Sequence, residues 1–554
     1  MKSYNDFNSV EELLEYYNIK QNNIVLEDDK EDVKDDVKDD GKEDGDEPSK
    51  VIKTDEKEVI YSDLKSDPQN IFKHIIVFTN DRDPKNNKTL KNIYDAIGNL
   101  KKAKCDIIPE IHVFEAADVD YDDEDGNSFT ISDGDEKFVV KEESNIDTLI
   151  FARLGVQGED QCEHVVEILQ DRGFLVLNPV KYSSLACNKY DSAVLFEKGE
   201  IPQPRFSLMT KDILYDEKLY EEAMQTLYPK WDIKDSDKNK DFMVVMKILD
   251  GHGGTGVALI DGKRIYAVLQ LIFAINPEQN ILLQKKEEAD GGDIRVHVLT
   301  LRDKQVILGA MKRVKLGGDF RSNVSLGAEA EPVKLTPEQE QIALKTATLS
   351  KLPWCAVDIM PLVKGSNKEV GDNVVLEINA SPGTAGISEV LETNFINVML
   401  NELCDPNTFF LQDKVAGFIE STTIEFAEGV SKTFLAKLDT GNSTKASTLE
   451  VGEFKEEKDY ILFKVDGKDI KLKKHGVIKA TAGEETYERP TVIVPELTLG
   501  VRKLKNVQLA LVKSRANKTT NLLLNRDVLS RLGYVVHPNN AHVLTKEMEK
   551  VKII

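Results

Sequence analysis

The sequence predicts an α+β multidomain chain with three folded parts in series, and three observations predict it. Between His74 and Pro179 short apolar strands alternate with helix-like runs, the pattern of a small α/β domain. From Ile201 the strands lengthen and turn signals separate them, leaving a helix from Thr336 to Ser350 behind a TPEQE start and another from Ile387 to about Leu403. Beyond Asp413, short strands such as TFLAKLD, YILFKVDG and TVIVPELTLG dominate, so the last part reads as mainly β. At 554 residues the chain exceeds what one core organises, and 40% apolar content supports several packed cores.

Taken in order, residues 1–26 hold a short amphipathic helix over Val10 to Tyr17, where apolar residues recur at helical spacing. Residues 27–70 read as a linker: Glu27 to Lys57 carries 15 Asp/Glu against 7 Lys/Arg, too little apolar surface to fold. Residues 71–181 form the α/β part, with strands HIIVFTND, Ile111 to Phe114, DTLIFARLG and FLVLNP and helical runs at Leu90 to Lys102 and through His164 to Leu169. Residues 182–403 and 418–546 are the second and third parts.

The net charge of -24 argues against nucleic-acid binding, which needs a surplus of Lys and Arg on one face. There is no apolar run of membrane-spanning length and no signal-peptide pattern at the N-terminus, so a cytoplasmic protein is expected. Five cysteines, widely spaced and without a CxxC, read as reduced structural thiols.

The fragment FMVVMKILDGHGGTGVALI sets a strand ending near Lys247 before the loop Gly251 to Gly256, with a second strand after it. Gly251, Gly253, Gly254 and Gly256 let backbone amides approach phosphate oxygens, and Lys247 supplies a point charge. A dinucleotide fold would need a helix after this loop, and a protein kinase would need HRD and DFG elements that the chain lacks. By itself the loop is equally an unliganded hairpin. Farther along, WCAVDIM presents Asp358, and VVLEINASPG presents Glu377 and Asn379 two apart on one strand face. Two carboxylates and an amide oxygen on rigid strands suit Mg²⁺; a buried carboxylate satisfied by backbone amides is the alternative. Between the glycine loop and WCAVDIM, GGDIRVHVL and AMKRVKLGGDFRSN place Asp293, Arg295, Lys312, Arg313, Arg321 and Asn323 on strands and loops of one sheet, where arginines facing a cleft would clamp a carboxylate or phosphate.

The order Lys189, Lys247, GHGGTG, LLQKKEEADGGDIR, FRSN, VDI and LEINASPG resembles the ATP-grasp ligases of the RimK type across residues 182–403, and the stretch before it is similar to the domain preceding them. The resemblance implies two α+β subdomains and an enzyme that uses ATP and Mg²⁺, with Mn²⁺ as a substitute, to join an amino acid to a peptide or protein carboxylate through an acyl phosphate. It implies that Lys189 and Lys247 contact phosphates, that Lys285 and Lys286 mark the adenine-side hinge, and that Asp293 holds the ribose. Arg321, Ser322 and Asn323 would line the nucleotide and acyl-phosphate region, Arg295 and Arg313 would stabilise developing charge, and Asp358, Glu377 and Asn379 would carry the metal. Lys285 departs from the family, which has an acidic residue there.

In the last part, FLAKLDTGNSTKASTL sets Asp439 directly after an apolar strand, as an aspartic peptidase presents its carboxylate; an ordinary β-turn gives the same tripeptide. With LLLNRDVLSRLGYVV and YERPTVIV, the region resembles the retropepsin-like domain found beside RimK-type ligases. One DTG implies that a working peptidase site needs a homodimer, while Asn442 and Asn525 replace the family's small residues. An active aspartic peptidase, and a structural, virion-associated protein keeping both folds as binding modules, stand as alternatives to the ligase.

Overall fold

The computed structural model describes residues 60–545 except 124–127, 142–143, 155–159, 236, 251–254, 303, 315–328, 368–370, 412, 483–484 and 515–519. They belong to one compact unit, Val59–Ile554. The N-terminal helix and most of the acidic linker lie outside the described residues. The end of that linker corrects the expectation. Strand Ile60–Tyr61 pairs in parallel with Gln305–Val314, the Ser62 amide donates to the Ile307 carbonyl at 3.1 Å, and the Asn401 amide group donates to Ser66 Oγ at 2.7 Å. The charge run ends at Lys57, and the apolar Ile60 and Ile71 behind it have a core to bury into.

The α/β part is a parallel sheet in the order Glu110–Glu115, His74–Thr79, Thr148–Arg153, Leu175–Leu177. Alternate strand residues feed two cores: Ile75, Val77, Leu149 and Phe151 pack with helix Lys88–Ala103, and Ile76, Phe78, Phe114 and Ile150 pack with helix Asp160–Asp171. Asn87 caps the first helix, accepting from the Leu90 amide at 3.0 Å. A three-stranded antiparallel piece, Asp120–Asp123, Ser128–Ser132 and Lys137–Lys141, was not anticipated. Its acidic residues mask a half-buried pattern in which Phe129, Ile131 and Val140 face the core.

The second part has two sheets. The smaller is antiparallel, in the order Val257–Asp261, Met243–Ile248, Ile281–Lys285, Phe206–Met209. Helices Glu217–Leu227 and Ile265–Ile275 cover one face of it. The second helix is apolar nearly all round, IYAVLQLIFAI, so periodicity does not separate it from a buried strand; Ile265, Leu269 and Phe273 are the residues it buries. The larger sheet runs Gln305–Val314, Gly292–Thr300, Trp354–Pro361, Asn373–Asn379, all antiparallel. Helix Pro337–Ser350 packs on it behind a capping box in which Thr336 Oγ1 accepts from the Gln339 amide at 3.3 Å. The helix expected from Ile387 to Leu403 is two, Ala385–Val390 and Phe395–Glu402, because Asn394 caps a new start by accepting from the Ile396 amide at 2.9 Å.

The third part is a sheet of nine strands in which Ile419–Ala427 also pairs with Glu485–Leu499, closing a barrel. Its core is continuous, from Ile424 and Phe426 to Leu522 and Leu529. The mainly β expectation holds, with strands reaching 15 residues at Lys468–Ala482 and Glu485–Leu499.

Candidate functional site

Four strands of the larger sheet place a row of charges on one face. Register sets Arg313 opposite Asp293, Arg295 opposite Asp358, and Asp358 opposite Glu377. Asp293 and Arg295, like Glu377 and Asn379, are two apart and share that face. The contacts follow the register. Arg313 donates to Asp293 with Nε and Nη2 at 2.6 and 2.8 Å, and to Asp358 Oδ2 at 2.7 Å. Arg295 donates to Asp358 with Nε and Nη2, both at 2.7 Å, and its Nη2 lies 3.8 Å from Glu377 Oε1. Asn379 Nδ2 donates to Glu377 Oε1 at 3.2 Å.

Exposure grades along this row. Asp358, Arg313 and Asp293 are buried, at 1%, 3% and 4% exposure, whereas the Glu377 side chain is 39% exposed. Burial alone would raise the Asp358 carboxyl, but the Arg295 and Arg313 guanidiniums override it and hold it below the usual carboxylate range. Burial likewise works against the Arg313 charge, and the Asp358 and Asp293 carboxylates beside it keep that charge firmly in place.

Two lysines belong to the same electrostatic neighbourhood. Lys247 sits on Met243–Ile248, on the face opposite the buried Val244 and Met246. Burial pushes its pKa down to about 8; the nearby Glu377 and Asp358 carboxylates oppose this and Lys189 adds to it. Lys189 opens helix Lys189–Lys198 behind its cap Asn188, and its Nζ lies 3.4 Å from the Leu249 carbonyl. Burial lowers its pKa too. Among the described residues Lys247 makes no ion pair.

The structure therefore brings together Lys189, Lys247, Asp293, Arg295, Arg313, Asp358, Glu377 and Asn379. Gly251, Gly253, Gly254, Arg321, Ser322 and Asn323 lie outside the described residues. Gly256, at φ 72°, has no room for a Cβ, which would meet Ile248 Cδ1 at 2.9 Å. Lys285 turns aside to pair with Glu287 at 3.1 Å. The amides of Lys285 and Lys286 already donate to the Arg205 and Met243 carbonyls at 2.9 and 3.0 Å, so backbone contact with a ligand there falls to carbonyls.

One expectation changes. Arg313 does not face a cleft: it is a buried brace holding Asp293 and Asp358. Asp358 is already engaged, both its oxygens accepting from arginines. The register explains both, because each stands directly across from its partner, a relation visible only once strands are paired.

Sequence reasoning also missed Asp191, two residues after Lys189. It is 7% exposed, its Oδ1 has no hydrogen-bond partner among the described residues, and burial aided by Asp250 raises its pKa to about 6. It missed His297 as well, fully buried between Trp354 and Phe395, both ring nitrogens without partners, its pKa pushed down to about 3 by burial and by Arg295. Neither sits in a motif.

A shallow cavity adjoins the row. Ser183, Ser184, Cys187, Ala380 and Ser381 line it, and Ala380 directly follows Asn379.

In the third part, Asp439 directly follows strand Val430–Leu438, and its Oδ1 accepts from the Gly441 amide at 3.2 Å. Asn525 fastens this turn to the following helix. It is fully buried, caps Arg526–Arg531 by accepting from the Val528 amide at 3.1 Å, and donates to the Thr444 carbonyl at 2.6 Å.

Known proteins resemble part of this chain. The RimK-like ATP-grasp domain profile matches residues 186–403. A probable alpha-L-glutamate ligase of Thioalkalivibrio sulfidiphilus is 39% identical over 146 residues, 26% of this chain and 44% of that protein. A probable alpha-L-glutamate ligase 2 of Shewanella amazonensis is 36% identical over 148 residues, 26% of this chain and 45% of that protein. The chain thus spans less than half the length of these relatives. Among solved structures, D-alanyl-alanine synthetase A from Vibrio cholerae is 14% identical, covering 60% of this chain and 98% of its own, with a TM-score of 0.41. Residues 186–403 are thus similar to the RimK-like ATP-grasp domain.

Proposed function

We propose that the chain is an ATP- and Mg²⁺-dependent carboxylate-amine ligase that adds an amino acid, with glutamate as first candidate, to a peptide or protein carboxylate. The observation that carries this reading is the charge row ending at the half-buried Glu377 and Asn379, together with Lys247, a desolvated cation without an ion-pair partner among the described residues. The residues fit the ligands. A carboxylate and an amide oxygen on one strand face form a hard-oxygen donor set, and a partly desolvated lysine favours a polyphosphate. The names of the curated relatives support glutamate.

When bound, ATP with Mg²⁺ supplies the phosphoryl group that activates a carboxylate for attack by an amine. Lys189 and Lys247 hold phosphate oxygens, with Gly251, Gly253, Gly254 and Gly256 as their cradle. Glu377 and Asn379 hold the metal, and Asp358 joins them by sharing an oxygen with its arginines. Arg295, at the exposed end of the row, orients the acceptor carboxylate; Arg313 keeps Asp293 and Asp358 in place. Lys285, Lys286, Asp293, Arg321, Ser322 and Asn323 complete the nucleotide and acyl-phosphate surroundings, and the cavity at Ser183 and Cys187 admits substrate. The domains follow as 71–181, 182–403 and 418–546, the last a retropepsin-like, peptide-handling barrel in which Asp439 would need a second copy of the chain to form a peptidase pair.

Release of ADP on mixing the chain with ATP, Mg²⁺, single amino acids and short peptides tests this. The expected result is turnover with one amino acid and acceptor pair, lost in Glu377→Ala. No turnover with any pair sinks the reading.

A further inference from the structure

Outside this site, three side chains converge at the edge of the α/β part. His74 opens strand His74–Thr79, and Glu110 opens Glu110–Glu115. The strands are parallel neighbours with His74 beside Glu110 and Ile76 beside His112, so His74, Glu110 and His112 share a face. Glu110 Oε2 lies 3.7 Å from His74 Nδ1 and 3.8 Å from His112 Nε2. One ligand atom from each residue lies within 4.8 Å of the other two.

His112 is 4% exposed, yet among the described residues its Nε2 has no hydrogen-bond partner, and neither has the buried Nδ1 of His74. Buried ring nitrogens left unpaired are costly, and both are directed at the same carboxylate oxygen. On the other side of the ring, His112 Nδ1 lies 3.2 Å from Glu136 Oε1. A proton held there by Glu136 leaves the Nε2 lone pair directed at the cluster, the carboxylate-imidazole pairing that orients histidine toward a metal. Phe138 stacks on His112 with ring centroids 3.7 Å apart and stands 5.0 Å from His74. The neighbouring cation Lys73 is engaged by Asp147 at 2.8 Å.

We propose that His74, Glu110 and His112 bind one divalent transition ion of the zinc class, with Glu136 orienting His112 and a fourth position open to solvent. Two imidazoles and one carboxylate suit zinc rather than magnesium. Metal-nitrogen bonds of about 2.0–2.1 Å give tetrahedral ligand edges of roughly 3.3 Å, so the two edges to Glu110, at 3.7 and 3.8 Å, close with shifts of a few tenths of an ångström, and the edge between the imidazoles, within 4.8 Å, closes as the side chains turn inward. The ion would tie two parallel strands to the hairpin bearing Glu136 and Phe138. It lies at the amino ends of the strands, and its role is a structural clip.

The test uses the full chain stripped with a chelator and titrated with Co²⁺ under visible spectroscopy. We expect one equivalent of tetrahedral Co²⁺ absorption without a thiolate charge-transfer band, displaced by Zn²⁺, and a higher melting temperature with metal. Glu110→Gln, at an exposed position that leaves the fold intact, and His112→Gln should each abolish the absorption. A wild-type chain giving no tetrahedral absorption, or both variants giving it undiminished, overturns the proposal.

Discussion

The charge row of the larger sheet and the Asp439 turn of the barrel carry acids in opposite ways. In the row, four strands bring carboxylates and guanidiniums into register, so every charge is placed and neutralised by a neighbour across the ladder. In the barrel, Asp439 stands on a turn, held by a single amide at 3.2 Å, and the fold's effort goes into fastening the turn through Asn525. A row sustained by register is complete within one chain, as the proposed ligase site requires. An isolated turn carboxylate does not by itself make acid-base chemistry.

The largest effect should come from breaking the row. Asp358→Ala leaves Arg295 and Arg313 without their shared carboxylate, and the loss of one partner from a buried pair should cost about 3 to 5 kcal/mol, read as a lower urea midpoint.

Next is His297, two residues beyond Arg295 on the same strand face. Its folded-state pKa of about 3 lies below the unfolded value of 6.5, so the stability it permits is present above pH 6.5 and drains as pH falls toward 3. His297→Phe should remove about 3 kcal/mol of the acid destabilisation between pH 7 and pH 4, measured by denaturation at both.

Asp191 has the opposite sign. Its pKa of about 6 lies above the unfolded 3.8, so the stability linked to its neutral form is present below 3.8 and lost as pH rises through 6. Asp191→Asn should therefore gain about 2 to 3 kcal/mol near pH 8 and almost none near pH 4.

The smallest effect belongs to the barrel. Asn525→Ala removes a helix cap and buried hydrogen bonds at the Asp439 turn, and should cost about 1 to 2 kcal/mol, seen as a lower melting temperature.

Much of this was readable from residue order. The alternation of strands and helices placed the α/β part, and the Thr336 to Gln339 capping box placed its helix. Glu377 and Asn379 share a face because a strand repeats every two residues, and sequence states that directly. It does not state which strands pair. Hence Arg313 was expected to face a cleft and proved to be a brace, and the two arginines that hold Asp358 went unseen. The acidic hairpin at 120–141 was hidden by its charge, the helix Ile265–Ile275 by its uniform apolarity. His74, Glu110 and His112 converge only through strand neighbours that sequence separation conceals.

The most direct measurement follows the acceptor itself. Mass spectrometry should detect glutamate joined to a peptide carboxylate when ATP and Mg²⁺ are supplied, with the product formed by the wild type and by Asp439→Ala and missing with Glu377→Ala. Product surviving in Glu377→Ala but vanishing in Asp439→Ala would contradict the account.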